Sequence, residues 1–221
     1  MRIKTRNLFP AAIMIVAIFS AMDPSTIMAD DNPWQLRVAA VSMDLGDGTV
    51  SVPGTDEEYS YSASNGLGFA IDLEYRASRR LGIDFGVISA SPGIEVTVDD
   101  PPLSVEANAD LRITPIYAAL NVHLTPDSRF DLYVGPVLAY VVYESFDLVA
   151  GPELSEPFSV ENDFAVGAVI GLDIGLGSAG WSLNTAVRYL ETSLEARPAD
   201  GSVGTTEIDP TIFSLGFGYR F

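Results

Sequence analysis

The sequence predicts an all-β fold, an eight-stranded antiparallel up-and-down β-barrel that crosses a membrane. Three observations predict it: a C-terminal stretch that alternates in polarity to its last residue, seven further alternating segments, and connections that are short and long in turn. Side chains of an extended chain point to opposite faces in turn, so each segment offers one apolar face. Eight such strands closed into a ring leave no unpaired edge, and their apolar faces can then contact lipid.

The C-terminal stretch from Glu207 to Phe221 carries the clearest alternation. One face holds Phe213, Leu215, Phe217, Tyr219 and Phe221. The other face holds Ile212, Ser214, Gly216, Gly218 and Arg220. A soluble protein rarely ends on an uninterrupted apolar strand face, because that face would be left in water. We therefore interpret this stretch as the lipid-facing strand that closes the barrel.

Seven further segments of about ten residues complete the predicted barrel. They are Trp34–Met43, Gly66–Tyr75, Arg80–Ala90, Leu111–Leu124, Phe130–Tyr143, Phe164–Leu176 and Trp181–Ser193. The short connections are residues 77–79, 125–129 and 177–180. The long connections are residues 44–65, 91–110, 144–163 and 194–206. We expect the long connections to be extracellular loops, and the even strand number to leave both chain ends on the periplasmic side.

Residues 1–29 have the pattern of a cleaved secretory signal peptide. Three basic residues among the first six precede an apolar run from Ala11 to Met22, and Ala29 is a small residue at the expected cleavage site. That run is too short for a membrane-spanning helix, which needs about 20 apolar residues. Residues 30–221 are therefore predicted to form the mature barrel, in the outer membrane of a bacterial cell.

The mature chain is strongly acidic. Residues 30–221 contain nine arginines, no lysine and 29 acidic residues, a net charge of −20, which argues against nucleic acid as a partner. There is no cysteine, so neither disulfides nor thiolate chemistry is available. The single histidine, His123, lacks the neighbours of a metal or catalytic site, and we expect it to be hydrogen-bonded among lumen carboxylates. No cofactor, no metal and no enzymatic activity are predicted.

The acidic residues concentrate in the long connections, whereas Arg76, Arg79, Arg80 and Arg129 lie in or beside the short turns. Two interpretations of the acidic loops remain open: a solvated surface, or divalent-ion bridges to lipopolysaccharide phosphates. The expected partners at the surface are outer-membrane lipids and lipopolysaccharide. Acidic loops also leave an alternative function open, that of a structural or host-adhesion barrel with no transport role.

The inward-facing residues near the short turns predict a salt-bridged plug. A barrel of eight strands is just wide enough for side chains to fill it. Buried charges must be paired, because an unpaired one costs several kcal/mol or so. The predicted plug consists of Arg37, Asp72, Glu74, Asp84, Asp173, Arg188 and Arg220.

The inward-facing residues nearer the long connections are mostly apolar. Water-filled channels have polar lumens, so this composition argues against an ion pore. Two interpretations remain open: a binding pocket for a small hydrophobic molecule, or ordinary packing inside a narrow barrel. The predicted pocket residues are Val41, Ala70, Ile88, Ile113, Tyr117, Val137, Val169, Leu190 and Ile212.

Two prolines, Pro115 and Pro136, fall in consecutive predicted strands. Neither can donate a hydrogen bond to a neighbouring strand, so the wall is expected to be weaker there. We interpret this region as a lateral exit from the pocket into the bilayer. The alternative is that both prolines occupy bulges without a role in transport.

Residues 175–180 match the dinucleotide-binding pattern G-x-G-x-x-G, but that site needs a following helix. The segment from Trp181 to Ser193 alternates as a strand instead, so we predict no nucleotide site. A soluble lipocalin-like barrel would solvate its outer face, whereas this outer face is nearly free of charge.

Four sequence motifs, in the correct order, resemble the outer-membrane protein W (OmpW) family. They are Asn65-Gly-Leu-Gly through Leu81-Gly-Ile-Asp, Leu132-Tyr-Val-Gly-Pro-Val-Leu-Ala-Tyr140, Leu183-Asn-Thr-Ala-Val-Arg-Tyr189 and Asp209-Pro-Thr-Ile-Phe-Ser-Leu-Gly-Phe-Gly-Tyr-Arg-Phe221. The resemblance implies an eight-stranded barrel associated with the movement of small hydrophobic molecules across the outer membrane. It also implies that the barrel-insertion machinery recognises Phe221. The chain departs from the family pattern at Pro115, where a Pro-Pro pair is usual.

Overall fold

A computed structural model describes residues 32–51, 58–100, 103–144, 146–150, 154–198 and 204–221. The predicted signal peptide, residues 1–29, lies outside them. The described residues form thirteen β-strands: β1 (Trp34–Asp44), β2 (Gly48–Ser51), β3 (Glu58–Arg76), β4 (Leu81–Asp100), β5 (Leu103–Asp110), β6 (Ile113–His123), β7 (Phe130–Tyr143), β8 (Phe146–Ala150), β9 (Leu154–Glu161), β10 (Asp163–Gly175), β11 (Trp181–Pro198), β12 (Gly204–Ile208) and β13 (Thr211–Arg220). Across this part of the chain, no helix is long and apolar enough to cross a membrane.

Eight of these strands form the closed wall of the barrel. Their order around the wall is β1–β3–β4–β6–β7–β10–β11–β13, every pairing is antiparallel, and β13 pairs with β1 to close the ring. At the closure, Phe221 N donates to Trp34 O at 2.8 Å and Trp34 N donates to Phe221 O at 3.2 Å. The predicted fold class is therefore confirmed, and the C-terminal stretch forms the closing strand.

The long connections are not the irregular loops that the sequence analysis predicts. β3, β4 and β11 contain 19, 20 and 18 residues, whereas a strand tilted across a bilayer needs about 9–11. The five remaining strands, β2, β5, β8, β9 and β12, pair with these long strands or with one another and extend the wall. Apolar and polar residues alternate in part of these segments as well, as in Leu103–Asp110, so the two-residue period is a sequence signal for them too. Pairing satisfies their backbone groups. The loop prediction was wrong for these segments.

The outer face of the wall is apolar and ends in aromatic residues on both sides. At the end of the barrel where the short turns lie, Trp34 packs on Tyr75 with ring centroids 4.9 Å apart. At the same end, Trp181 packs on Tyr219 with ring centroids 5.0 Å apart. At the opposite end, the ring centroids of Tyr140 and Phe164 are 5.0 Å apart. Aromatic girdles of this kind mark the two membrane interfaces, so they bound the membrane-spanning part of the wall.

Candidate functional site

A charged layer fills the lumen near the short turns. Its inward-facing side chains are at most 5% exposed and come from seven of the eight wall strands. They are Arg37, Asp72, Glu74, Arg76, Asp84, His123, Asp131, Asp173 and Arg188. Because charges removed from water need partners, the three guanidiniums organise this layer.

Arg37, on β1, is fully buried at the centre of the charged layer. Its Nη2 donates to Glu74 Oε2 on β3 at 2.5 Å and to Asp173 Oδ2 on β10 at 2.7 Å. Its Nε donates to Asp173 Oδ1 at 3.3 Å. The guanidinium carbon also lies 5.1 Å from the ring centroid of Tyr133 on β7, within the range of a cation–π contact. One side chain thus ties four wall strands together.

His123, on β6, bridges two carboxylates. Its Nε2 lies 2.7 Å from Glu74 Oε1, and its Nδ1 lies 3.0 Å from Asp131 Oδ2. Arg76 Nη2 donates to the same Asp131 oxygen at 2.7 Å. The sequence analysis places Arg76 beside a short turn and so misses its burial. Asp72, Glu74 and Arg76 are every second residue of β3 and so share one face. This alternation is the sequence signal that places Arg76 in the lumen.

Arg188, on β11, forms the upper edge of the charged layer. Its Nη2 donates to Asp72 Oδ2 and its Nη1 to Ser214 Oγ, each at 3.3 Å. The Tyr117 hydroxyl donates to Asp72 Oδ1, and the Arg188 guanidinium carbon lies 5.0 Å from the Tyr117 ring centroid. Tyr117, which the sequence analysis assigns to the apolar pocket, therefore joins the charged layer.

Tyr133 and Asn184 are neutral residues that the sequence analysis leaves out of the plug. Asn184 Nδ2 donates to Tyr133 OH at 3.1 Å and to Asp173 Oδ1 at 3.0 Å. The Tyr133 ring fills the space that a side chain at Gly171 would occupy. Alternation along β7 between Asp131 and Val137 is the signal that places Tyr133 inside. The glycine on β10 is what makes room for so large a ring.

Arg220 lies at the periplasmic rim and is half-buried, rather than within the charged layer. Its Nη2 donates to Gln35 Oε1 at 3.2 Å. Both residues line a cavity of about 160 Å³ that also involves Ser128, Arg129 and Trp181. The lining of this mouth is mixed: guanidinium, amide, hydroxyl and carboxylate groups, the last from Asp131 and Asp173, lie beside the Trp181 ring.

An apolar layer lies above the charged layer. Its side chains come from all eight wall strands and are 0–4% exposed: Val41, Ala70, Ile88, Ile113, Val137, Val169, Leu190 and Ile212. They belong to one buried cluster that continues towards the extracellular end through Met43, Leu111 and Tyr143. Side chains buried to this degree pack against one another. A molecule entering this layer must push them apart.

The seam between β4 and β6 has an interrupted ladder beside the apolar layer. Pairing holds on either side, but Ile88 faces Pro115 and Ser89 faces Thr114 without pairing. Pro115 still pairs with β7, so the missing amide hydrogen faces β4. On this seam the only side-chain hydrogen bond described across the gap is a long one, 3.5 Å from Thr114 Oγ1 to Ser89 Oγ.

The seam between β6 and β7 has a second interruption, at a different height. Leu120 faces Pro136 and Asn121 faces Gly135 without pairing, while Pro136 pairs with β10 on its other side. Asn121 Nδ2 donates to Glu74 Oε1 at 3.3 Å, so this gap lies level with the charged layer. The two prolines that the sequence analysis groups as one exit therefore weaken two seams, and only the Pro115 gap adjoins the apolar layer.

The Tyr117 hydroxyl provides a test of the charged layer. Removing it in Tyr117→Phe leaves a buried carboxylate oxygen without its donor, and a hydrogen bond to a charged group contributes about 1.5–3 kcal/mol. We expect the free energy of unfolding to fall by that amount, measured by urea unfolding in lipid vesicles. Tyr140→Phe is the matched control, because its hydroxyl only accepts a bond from Asn162 at the exposed face. Equal losses in the two variants would contradict the assignment.

These features together define a class of protein. A closed antiparallel barrel with an apolar outer wall, two aromatic girdles and a lumen filled by side chains is a bacterial outer-membrane β-barrel. The chain belongs to the OmpW family, whose model matches residues 34–221. The resemblance identified from the motifs and the location in the bacterial outer membrane are thereby confirmed.

Solved structures of similar fold agree with this assignment. The outer membrane protein OprG from Pseudomonas aeruginosa has a TM-score of 0.65 at 18% identity, with 86% of this chain and 96% of that chain covered. The outer membrane protein AlkL has a TM-score of 0.57 at 23% identity, covering 90% and 95%. Ail, the attachment invasion locus protein of Yersinia pestis, has a TM-score of 0.51 at 12% identity, covering 87% and 100%. No curated protein sequence matches this chain.

Proposed function

We propose that this barrel binds small hydrophobic molecules in its apolar layer and passes them sideways into the outer membrane. The observation that carries the proposal is the order of the layers. Apolar side chains lie directly above a floor of buried ion pairs, and the wall beside them has an interrupted ladder at Pro115. A molecule that enters from the extracellular side meets favourable contacts first and the charged floor second.

The charged layer excludes a route straight through the barrel. Its carboxylates and guanidiniums are joined at 2.5–3.3 Å by bonds such as Arg37 to Glu74 and Arg188 to Asp72. An apolar molecule offers no groups to replace these bonds, so passing between them would leave buried charges unpaired. A bound hydrophobic molecule can therefore leave upwards or through the wall.

The gap at Pro115 is a place beside the apolar layer where the wall opens at low cost. Where a ladder is continuous, a lateral opening must break a row of backbone hydrogen bonds, whereas Ile88 and Ser89 already lack pairing with Pro115 and Thr114. Ile88 and Ile113 flank this gap on the inside, and Val87 and Ile116 flank it on the outside. An apolar molecule thus finds apolar contacts on both sides of the seam.

The two prolines provide a matched pair for testing the exit. Pro115→Val restores an amide hydrogen facing β4 and is expected to reduce whole-cell uptake of an apolar fluorescent probe several-fold. Pro136→Val restores an amide at the level of the charged layer and is expected to leave uptake unchanged. Both variants must reach the outer membrane in equal amounts, which heat-dependent electrophoretic mobility of the folded barrel measures. Unchanged uptake in both variants contradicts the lateral exit.

A second candidate function is adhesion, favoured by the extended wall. β3, β4 and β11 rise well beyond the length that a bilayer requires, and acidic residues are concentrated in these extensions. The similarity to Ail concerns fold alone. If cells lacking the protein take up the apolar probe normally but bind less to host surfaces, adhesion replaces transport as the function.

A further inference from the structure

Arg188 joins the apolar layer to the charged layer. Its main chain pairs with Val169 on β10 and with Ile212 on β13, two residues of the apolar layer. Its guanidinium extends towards the charged layer, where Nη1 lies 3.3 Å from Ser214 Oγ and Nη2 lies 3.3 Å from Asp72 Oδ2. The residue is 1% exposed. Arg188 is therefore a buried cation whose stem passes beside the apolar layer.

The Nε of Arg188 is the nitrogen of this guanidinium that has no hydrogen-bond partner among the described residues. It is also the guanidinium nitrogen nearest to the main chain, and so nearest to the level of Val169 and Ile212. A guanidinium keeps all of its N–H donors, because arginine does not lose its proton in proteins. The side chains of the apolar layer are hydrocarbons and offer no acceptor. A buried donor left unpaired costs free energy that an acceptor oxygen would recover.

A hydrophobic molecule in the apolar layer can supply that oxygen. Binding sites for small molecules combine an apolar lining with a few polar groups that fix the orientation of the ligand. The hydrocarbon part of such a molecule would contact Val169, Leu190 and Ile212, and an oxygen at its lower end would accept from Arg188 Nε. A pure hydrocarbon would fill the same space and leave the donor unpaired. The site thus favours a ligand that carries an acceptor over one that does not.

The charge around Arg188 disfavours a ligand with a carboxylate. Two carboxylates already face this guanidinium, since Asp72 Oδ2 lies 3.3 Å and Asp84 Oδ2 lies 3.9 Å from Nη2. A ligand carboxylate would bring a third negative charge to the same group, and like charges at such distances repel one another. An uncharged carbonyl oxygen accepts the same hydrogen bond without adding charge.

We propose that Arg188 is a ligand-binding residue of the apolar layer, and that its Nε donates to the oxygen of an uncharged hydrophobic carbonyl compound, a ketone or an ester. This inference rests on the proposed function, because it needs the apolar layer to open for a hydrophobic molecule. It adds selectivity to that function. Arg188 selects for an acceptor oxygen, and Asp72 and Asp84 select against an anion.

The test compares three molecules with the same number of carbon atoms: octane, methyl hexyl ketone and octanoate. Each displaces an apolar fluorescent probe from the refolded barrel in micelles of an uncharged detergent. Dividing each affinity by the partition of the molecule into empty micelles removes differences in hydrophobicity. On this scale the ketone is expected to bind about ten-fold more tightly than octane, because the donor of its hydrogen bond is charged. Octanoate is expected to bind more weakly than the ketone.

Arg188→Lys isolates the contribution of Nε. Lysine keeps a cation facing Asp72 but has no nitrogen at the position of Nε, so the preference for the ketone over octane is expected to disappear. Arg112→Lys is the matched control, because Arg112 is exposed and pairs with the exposed Glu144 at 3.5 Å. It is expected to keep the preference of the wild type.

The outcomes separate this proposal from the function on which it rests. If octane and the ketone bind the wild type equally on this scale, the apolar layer binds hydrophobic molecules but Arg188 does not select among them. If octanoate binds most tightly, the ligand class is wrong. If none of the three displaces the probe, the proposed function fails as well. A ketone preference that persists in Arg188→Lys also overturns the role of Nε.

A second measurement remains decisive if Arg188→Lys fails to fold. The carbonyl stretch of an isotope-labelled methyl hexyl ketone can be followed by infrared spectroscopy in the wild-type barrel. Hydrogen bonds lower the frequency of this stretch, and bonds from charged donors are the stronger ones. We expect the band of the bound ketone to lie below its position both in octane and in water. A band at either reference position overturns the contact with Arg188.

Discussion

An Arg37→Met barrel is expected to be less stable than the wild type by about 3–5 kcal/mol, the cost of breaking a buried ion pair by removing one partner. Methionine keeps much of the volume, so packing changes little. The substitution removes the donors that bind Glu74 at 2.5 Å and Asp173 at 2.7 Å and leaves both carboxylates buried. It also removes the cation facing the Tyr133 ring.

Urea unfolding of barrels refolded in lipid vesicles measures this loss. Arg79→Met is the matched control, because Arg79 makes its ion pair with Asp127 at the periplasmic surface, where both side chains are at least 70% exposed. Surface pairs contribute little, so the control is expected to stay within about 0.5 kcal/mol of the wild type. Similar losses for Arg37→Met and Arg79→Met would show that the lumen charges are solvated.

The division between lipid-facing and lumen-facing residues could be predicted because it depends on a single rule, the two-residue period of a strand. Leu215 and Phe217 fall outside and Ile212 inside by that rule alone. The same rule places Arg37, Glu74 and Asp84 in the lumen. Burial of charge then requires pairing, so composition and alternation together predict a charged floor.

The identity of the partners could not be predicted in this way. Contacts across the lumen, such as Arg37 with Asp173 or Arg188 with Asp72, depend on how far each strand is staggered against the next around the closed wall. Alternation carries no information about that stagger. The bridge that His123 makes between Glu74 and Asp131 is of the same kind, since it joins three strands.

The prolines show a related limit. The sequence places Pro115 and Pro136 in neighbouring strands, but a residue in a strand directs its amide to one neighbour only, and the choice depends on register. The structure directs Pro115 towards β4 and Pro136 towards β6. A single predicted exit thus becomes two separate interruptions, one beside the apolar layer and one beside the charged layer.

A charge in the middle of the outer wall is expected to destabilise the barrel by about 2–4 kcal/mol, the cost of arginine at the bilayer midplane. Leu215 lies halfway along β13, between Ala40 on β1 and Thr185 on β11, and is 49% exposed on the outer face. In Leu215→Arg the guanidinium has no lumen carboxylate within reach, because it points away from the lumen. It must either remain in hydrocarbon or extend towards an interface.

Leu124→Arg is the matched control for depth. Leu124 is equally apolar and 48% exposed, but it lies in the short turn between β6 and β7, where headgroups and water solvate an arginine. The expected loss there is about 0–1 kcal/mol, measured as for Arg37→Met. The difference between the two variants should disappear when both are unfolded from micelles thin enough to let water reach Leu215. Equal losses in a full bilayer would place β13 outside the membrane core and contradict the girdles as its boundaries.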